Sequence, residues 1–366
     1  MSGQRVAVTG CGVASALGVV WEEFAAAVRE GRSGIGVVTG FDVEGLGCEQ
    51  AAEMTAFDAA PFLRSPKNFL DRNSQLAFAA CELAAREAVL TLPPPQPGLA
   101  GLSVGTGFGN LGTLAMFRDA VAAKGPKLAP PFVFPHTYLN TTASLLSIEY
   151  GLGGPHQCFT SGAAAGAQAL AWAWRVCSRG DCGLMLSGGV DALGEAAYRG
   201  ARASGWLSPR GSGPEGCRPF ASDRNGTVFG EGAAFFVLET GGAASSRGAA
   251  VKAWLSAAAG ATAAEAVGGA VRLTGGAGVD LVVAAAGGYA EMDAQEQAAL
   301  DAAGLARARM VAPKAALGET FGASGPLGVA YALALMEAGQ ARRALVNAAH
   351  PDGGAWVSVV VEANGA

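Results

Sequence analysis

The side chains able to do chemistry in this chain of 366 residues are few, and several sit in one short stretch. Its three histidines, His136, His156 and His350, are the only side chains whose ordinary pKa lies close to neutrality. His156 belongs to the segment GPHQCFTSGAAAG, where Cys158 and Ser161 add a thiol and a hydroxyl, two nucleophile types. A working Ser–His pair needs the imidazole within hydrogen-bond reach and a third group to orient it. His156 and Ser161 are neighbours on one extended segment with no such third group, so loop hydrogen bonding is the plainer reading. Cys158 reads as a thiol in a buried strand. His350 and Asp352 could form an acid/base pair by type, but both lie in the Pro/Gly loop NAAHPDGGAW and read as solvated. Glu231, beside a glycine in FGEGAAFFVLE, reads as a backbone anchor or ion-pair partner rather than a general acid. The odd set of seven cysteines (Cys11, Cys48, Cys81, Cys158, Cys177, Cys182, Cys217) has no CxxC or Cys/His ligand spacing, which predicts buried, reduced thiols. No metal site and no cofactor motif is read.

These groups must be carried by a regular scaffold. Strand-like apolar runs alternate with Ala-rich helical stretches from end to end: Arg5 to Thr9, Trp21 to Glu30 and Leu102 to Gly105 in the first part, Val251 to Ser256, Val279 to Ala285 and Trp356 to Glu362 in the second. That alternation predicts layered α/β architecture. Leu92 to Gly98 and Pro209 to Gly216 read as surface loops, and Thr240 to Arg247 as a connection between two halves, 1–244 and 245–366. Gly226, Gly230 and Gly232 allow close backbone approach before a buried strand, Ala233 to Leu238. Hydrophobic residues make up 51% and charged residues 15%, so the chain has material for a large core. A net charge of −5 without blocks of like charge argues against nucleic-acid binding. No apolar run is long enough to cross a bilayer, Met1 to Val8 reads as the edge of the fold rather than a signal peptide, and a cytoplasmic location is expected.

Several segments in order resemble the β-ketoacyl synthases of fatty-acid and type II polyketide pathways, which have the thiolase fold. They are RVAVTGCGVASALG (Arg5 to Gly18), SGIG (Ser33 to Gly36), DRNSQLAFAA (Asp71 to Ala80), PFVFPHTYLN with YGLGGP (Pro131 to Pro155), LSGGVDA (Leu186 to Ala192) and CRPFASDRNGTVFGEGAAFFVLE (Cys217 to Glu239). The resemblance implies two pseudo-repeated αβαβα-type halves in a five-layered α-β-α-β-α arrangement.

It also exposes what is missing. In active relatives a Cys at a strand-to-helix turn, its pKa lowered by the helix N-terminus, attacks the acyl thioester. Counting along GPHQCFTSGAAAG from either side puts that position at Ala163. Two His residues normally support malonyl decarboxylation; their positions fall on Ala286, in VAAAGG, and Glu319, in a motif that keeps Lys314, Gly318, Gly322, Ala323 and Gly325. The C-terminal glycine loop, which completes the oxyanion hole, retains only Gly353 and Gly354.

This pattern resembles a chain length factor, the inactive partner that pairs with a ketosynthase and shapes the tunnel for the growing chain. Many such factors carry Gln at the dead nucleophile position, so no role tied to that Gln transfers to Ala163. The resemblance places the tunnel and interface at Phe108, Leu111, Gly112, Leu114 and Ala115, expected on one helix face, and at Val133, Phe134 and His136. The small residues Gly112 and Ala115 hint at a reduced or polyene chain. The second half is short near residues 257–270, where relatives carry an extra loop, so the acyl carrier protein is expected to dock mainly on the active partner. Two other readings stand beside this one: an acyltransferase of the same fold with another nucleophile, and a homodimeric scaffold that holds acyl chains.

Overall fold

The computed structural model describes residues 3–365; Met1 and Ser2, included in the expected edge of the fold, lie outside them. Ten strands form one sheet: β1 (Val6–Ser15), β2 (Ala100–Gly105), β3 (His156–Phe159), β4 (Leu184–Asp191), β5 (Gly232–Thr240), β6 (Ala253–Gly260), β7 (Leu281–Val283), β8 (Arg309–Val311), β9 (Arg343–Ala349) and β10 (Trp356–Ala363). Their spatial order is β8-β7-β9-β10-β6-β1-β5-β4-β2-β3. Read outward from the centre, each half runs first, fifth, fourth, second and third strand. The pairings repeat as well: β2 is parallel to β3 and β4 and β5 antiparallel to β4 and β1, as β7 is to β8 and β9 and β10 to β9 and β6. The halves meet where Val6, Ala7 and Val8 of β1 pair antiparallel with Leu255, Trp254 and Ala253 of β6.

The helices used below are α1 (Trp21–Glu30), α2 (Arg72–Glu87), α3 (Leu111–Lys124), α4 (Thr141–Tyr150), α5 (Ala165–Arg179), α6 (Ala263–Leu273), α7 (Ala290–Ala302) and α8 (Ser324–Glu337). Helices α5 and α8 pack against each other and against strands of both halves, so they form the middle layer. Helices α2 and α4 cover the outer face of the first half, and α6 and α7 that of the second. The result is the five-layered thiolase arrangement.

The sequence makes this packing possible. Helix α8, SGPLGVAYALALME, is apolar almost all round, as a helix buried between the two halves of the sheet must be. Alternation along β5 sends Phe236 into the central cluster with Val8 and Leu170, and Phe235 into the outer cluster with Phe78 and Leu102. Both rings are fully buried, each worth about 1.5–3 kcal/mol by transfer from water. Truncating either to Ala should cost about 3–5 kcal/mol.

Helix α1 and the loops fall where the sequence places them, while most strands are longer or shifted by a few residues and the one expected over Val279 to Ala285 shrinks to Leu281–Val283. Thr240 to Arg247, read as a bare connection, contains a short helix, Gly241–Ser246, whose first turn is capped by the Thr240 hydroxyl accepting from the Ala243 N–H at 3.1 Å. All seven cysteines are free thiols and six are buried. Among the described residues no helix is long and apolar enough to cross a membrane.

Candidate functional site

The site forms where β3 turns into α5. Gly162 takes a left-handed φ of 63°, Gly162–Ala164 makes one 3-10 turn, and α5 begins at Ala165. Ala163 thus stands at the N-terminal approach to a helix of 15 residues, where the helix dipole favours a thiolate. It carries a methyl group, is fully buried, and packs in a cluster with Phe229, Phe321 and Tyr198.

A carboxylate holds the surrounding loops in place. Asp191, at the end of β4, accepts from the N–H groups of Gly107 (2.5 Å), Phe108 (2.9 Å) and Gly322 (2.7 Å) and from the Thr106 hydroxyl (2.9 Å). It ties the loop after β2 to the turn before α8. Burial raises its pKa to about 6, against the opposing pull of those hydrogen bonds. The Gly322 carbonyl fits because its neighbours lack side chains: a Cβ on Gly166 or Gly189 would lie 2.0 or 1.9 Å from it. The same turn holds Phe321 at φ 45°, strain of about 1–3 kcal/mol, fixed by edge-to-face contacts with Phe108 (4.5 Å) and Phe229 (4.7 Å).

Ala286 and Glu319, the two expected histidine positions, are both engaged in structural bonding. Glu319 is fully buried and pairs with Lys314 at 2.6 Å; its other oxygen accepts from the Phe321 N–H (2.9 Å) and the Ser324 hydroxyl (2.6 Å). Both oxygens are engaged, and a carboxylate has no proton to donate to a thioester carbonyl. At Ala286 the backbone N–H donates to Glu296 at 2.8 Å, as does that of Ala285 at 2.9 Å, and Asn347 closes the network at 2.8 Å. Burial raises the pKa of Glu296. Gly287, next to Ala286, sits against the Lys314 side chain, since a Cβ there would lie 3.1 Å from Lys314 Cδ. Phe321, Glu319, Lys314 and Gly287 therefore form a contact path from Ala163 to Ala286.

The other reactive groups are placed as follows. Cys158 lies on an edge strand and is half-buried, not in an interior strand as expected; burial and the Asp191 carboxylate push its thiol up to about 11, so it stays protonated at neutral pH. Ser161 donates to the side chain of Gln168 and makes no hydrogen bond to His156, which is exposed on the same edge strand. Glu231 is an anchor: it pairs with Arg72 at 2.8 Å and accepts from the N–H groups of Met54 (3.0 Å) and Leu193 (3.2 Å).

His350 departs from the sequence reading. It is half-buried rather than solvated, because its loop folds over the Gly162 turn: a Cβ on Gly162 would lie 2.4 Å from its ring, and Trp206 meets it edge-on at 5.5 Å. With Ser161, Trp206, Phe321 and Gly353 it lines a cavity of ≈ 380 Å³ over the Ala163 turn. Gly353 and Gly354 both have positive φ, 81° and 90°, so the glycine loop keeps its shape requirement.

The helix-face expectation also needs correction. Helix α3 starts only at Leu111, so Phe108 lies in the preceding loop with its ring turned toward Phe229 and Phe321. Phe108, Leu111 and Gly112 line a cavity of ≈ 330 Å³ with Met116, Leu193 and Ala197. Leu114 and Ala115 lie outside its wall and Leu114 is exposed; Gly112 and Thr113, four and three residues before Met116, form the wall with it instead. Val133 is buried, Phe134 is exposed, and His136 stands 4.0 Å from Asp71 with its ring edge-on to Phe69 at 4.9 Å.

Sequence reasoning passed over Asp191, Lys314 as the partner of Glu319, and Trp206. The signal for Asp191 was available: an acid closing the Gly-rich apolar strand LMLSGGVD has to be paired to be buried.

A large two-part sheet around two buried central helices, with a left-handed glycine before the inner helix, defines a ketosynthase-type thiolase fold. The comparisons give the family: the profile "Beta-ketoacyl synthase, N-terminal domain" matches residues 3–244. The chain belongs to the β-ketoacyl synthase family. It is 34% identical over 252 residues to 3-oxoacyl-[acyl-carrier-protein] synthase 2 of Synechocystis sp., covering 67% of this chain and 60% of the relative. The enzyme of the same name from Vibrio harveyi is 32% identical over 261 residues, covering 70% and 62%. The chain thus spans about 60% of the length of these curated relatives. Among solved structures, the ishigamide ketosynthase/chain length factor matches with TM-score 0.89 and 27% identity over 99% of this chain and 100% of that one. A β-ketoacyl synthase from Burkholderia phymatum STM815 has the same fold, with TM-score 0.89 and 24% identity over 99% and 100%.

Proposed function

We propose that this chain is a catalytically silent ketosynthase-like subunit, equivalent to a chain length factor, that pairs with an active β-ketoacyl synthase and forms part of the wall around its growing acyl chain. The observation that carries the proposal is the turn at Ala163, which keeps its backbone shape but presents a methyl group, with Glu319 locked to Lys314 and no imidazole at 286. Acyl transfer through this turn would need a nucleophile, and the thiol nearest in sequence, Cys158, is held protonated by burial.

Partner binding is supported by a run of large apolar side chains on the surface: Leu128, Phe132, Phe134, Tyr138, Leu139 and Ile148 are 47–76% exposed. Beside them β3 is the free edge of the sheet. A monomer rarely leaves both unpartnered. The cavity lined by Phe108, Leu111 and Gly112 is the proposed chain-facing wall, and its open space at Gly112 suits a slim, reduced or polyene chain. The acyl carrier protein is proposed to dock mainly on the active partner. Residues 1–244 and 245–366 are proposed as the two ketosynthase-like halves.

The test is co-expression with a ketosynthase encoded nearby, then a malonyl-dependent elongation assay on the complex and on each chain alone. A one-to-one complex, active only when the partner keeps its Cys, supports the proposal. Unaided thioester turnover by this chain sinks it, and points to the acyltransferase reading. In an active complex, Gly112→Phe should shorten the product; unchanged chain length removes this cavity from the wall.

A further inference from the structure

A cavity of ≈ 970 Å³ belongs to neither the Ala163 turn nor the exposed apolar surface. It lies at the far end of α5, by the seam where β1 pairs with β6, and Arg5, Trp174, Arg175, Arg179, Trp254 and Glu362 are among its lining. Helix α5 has 15 residues, so this end stands roughly 20 Å from Ala163.

Its charge is opposite to that of the whole molecule. Three arginines and one glutamate line it, a formal +2, on a chain of net −5. Glu362 is already shared between Arg5 at 3.3 Å and Arg343 at 2.9 Å. Arg175 and Arg179 are exposed and have no carboxylate partner within 4.0 Å among the described residues. They sit four apart on one helix, where like charges cost about 0.2–0.5 kcal/mol. The helix dipole accounts for Arg179, in the last turn, but its effect fades before Arg175. The carbonyl end of α5 is itself neutralised, since the N–H groups of Gln4 (2.8 Å), Gly180 (2.9 Å) and Asp181 (3.1 Å) donate to it.

The walls add aromatic surface. The Arg5 guanidinium lies 3.9 Å over the ring of Trp254, which is half-buried, and Trp174 is half-buried as well. Two indoles beside three guanidinium groups suit a flat ring that carries negative charge. The volume lies at the upper end of the range for small-molecule sites, about 300–1,000 Å³.

We propose that this cavity binds a planar aromatic compound bearing phosphate, with the ring against Trp174 and Trp254 and the phosphate on Arg175 and Arg179. The inference does not depend on the proposed function, because none of these residues belongs to the Ala163 site or the exposed apolar surface. The test is calorimetric titration of the full chain, or of its complex with a co-purifying ketosynthase, with ADP, adenosine and pyrophosphate. Saturable ADP binding at micromolar to submillimolar Kd is expected, with adenosine and pyrophosphate each weaker by about tenfold or more. Arg175→Ser/Arg179→Ser, a surface change that leaves the fold intact, should weaken ADP by about tenfold or more, and Trp254→Phe by less. Absence of ADP binding, binding unchanged in the double variant, or pyrophosphate binding as tightly as ADP would each overturn the proposal.

Discussion

The turn around Ala163 and the surface from Leu128 to Ile148 treat their side chains in opposite ways. At the turn, the Asp191, Glu319 and Glu296 carboxylates each meet three or four donors inside the chain, and Phe321 is held in a strained conformation by two other rings. At the surface, Phe132, Phe134 and Ile148 face solvent next to an unpaired strand edge. The first region is self-sufficient and the second is not. A region held by its own hydrogen bonds and ring contacts is constrained by folding, while a surface that stays apolar needs something outside the chain to explain it.

The comparison breaks most sharply at Lys314. If the pair with Glu319 supports the fold, Lys314→Ala leaves a buried carboxylate without its cation and should destabilise the chain by about 3–5 kcal/mol in urea unfolding. The paired replacement Lys314→Met/Glu319→Gln should recover most of that loss; equal stability of Lys314→Ala and parent would show that the pair is not structural.

Asp191 tests the same region through pH. Its folded pKa, about 6, lies above the ordinary 3.8, so the folded state holds this proton more tightly than the unfolded state does. That contribution is fully present below pH ~4 and is lost as pH rises through ~6, by at most about 3 kcal/mol. Urea midpoints measured from pH 4 to 7 should show this decline in the parent and lack it in Asp191→Asn. A parallel decline in both chains would assign it to other groups.

The surface predicts the opposite pattern. Phe132→Asp, on an exposed ring, should change the stability of the isolated chain by no more than about 0.5 kcal/mol. The same change should weaken the complex with the ketosynthase by about tenfold or more, some 1.4 kcal/mol, in a pull-down titration. Intact pairing would move the interface elsewhere.

Legibility in the sequence divides along the same line. The alternation of apolar runs and the ordered segments carried the fold, since burial on both faces of β1, β4 and β5 leaves a signal in every residue. Ala163, Ala286 and Glu319 were expected by counting from nearby glycines, and the count could not show the contacts through Phe321, Lys314 and Gly287 that run between them. Contacts between distant segments were not legible: nothing near Gly162 announces that His350 will cover it, and helical spacing cannot say that α3 begins at Leu111 rather than Phe108. Two repeated halves were expected from the alternation and the resemblance, but their shared strand order was not legible, since order is a property of pairing.

The smallest expected effect is the most pointed. Ala163→Cys restores a thiol at the head of α5, where the helix dipole should favour the thiolate and let it react slowly with a small alkylating agent. Elongation should stay at the parent's background all the same. A carbanion still has to form from the malonyl group, and neither Ala286 nor the Glu319 carboxylate can donate a hydrogen bond to its carbonyl. Alkylation without elongation would separate the two losses and show the pocket to be a preserved shape. Elongation restored by this one change would mean that the polar network around Glu319 still supports chemistry, and would end the contrast between the two regions.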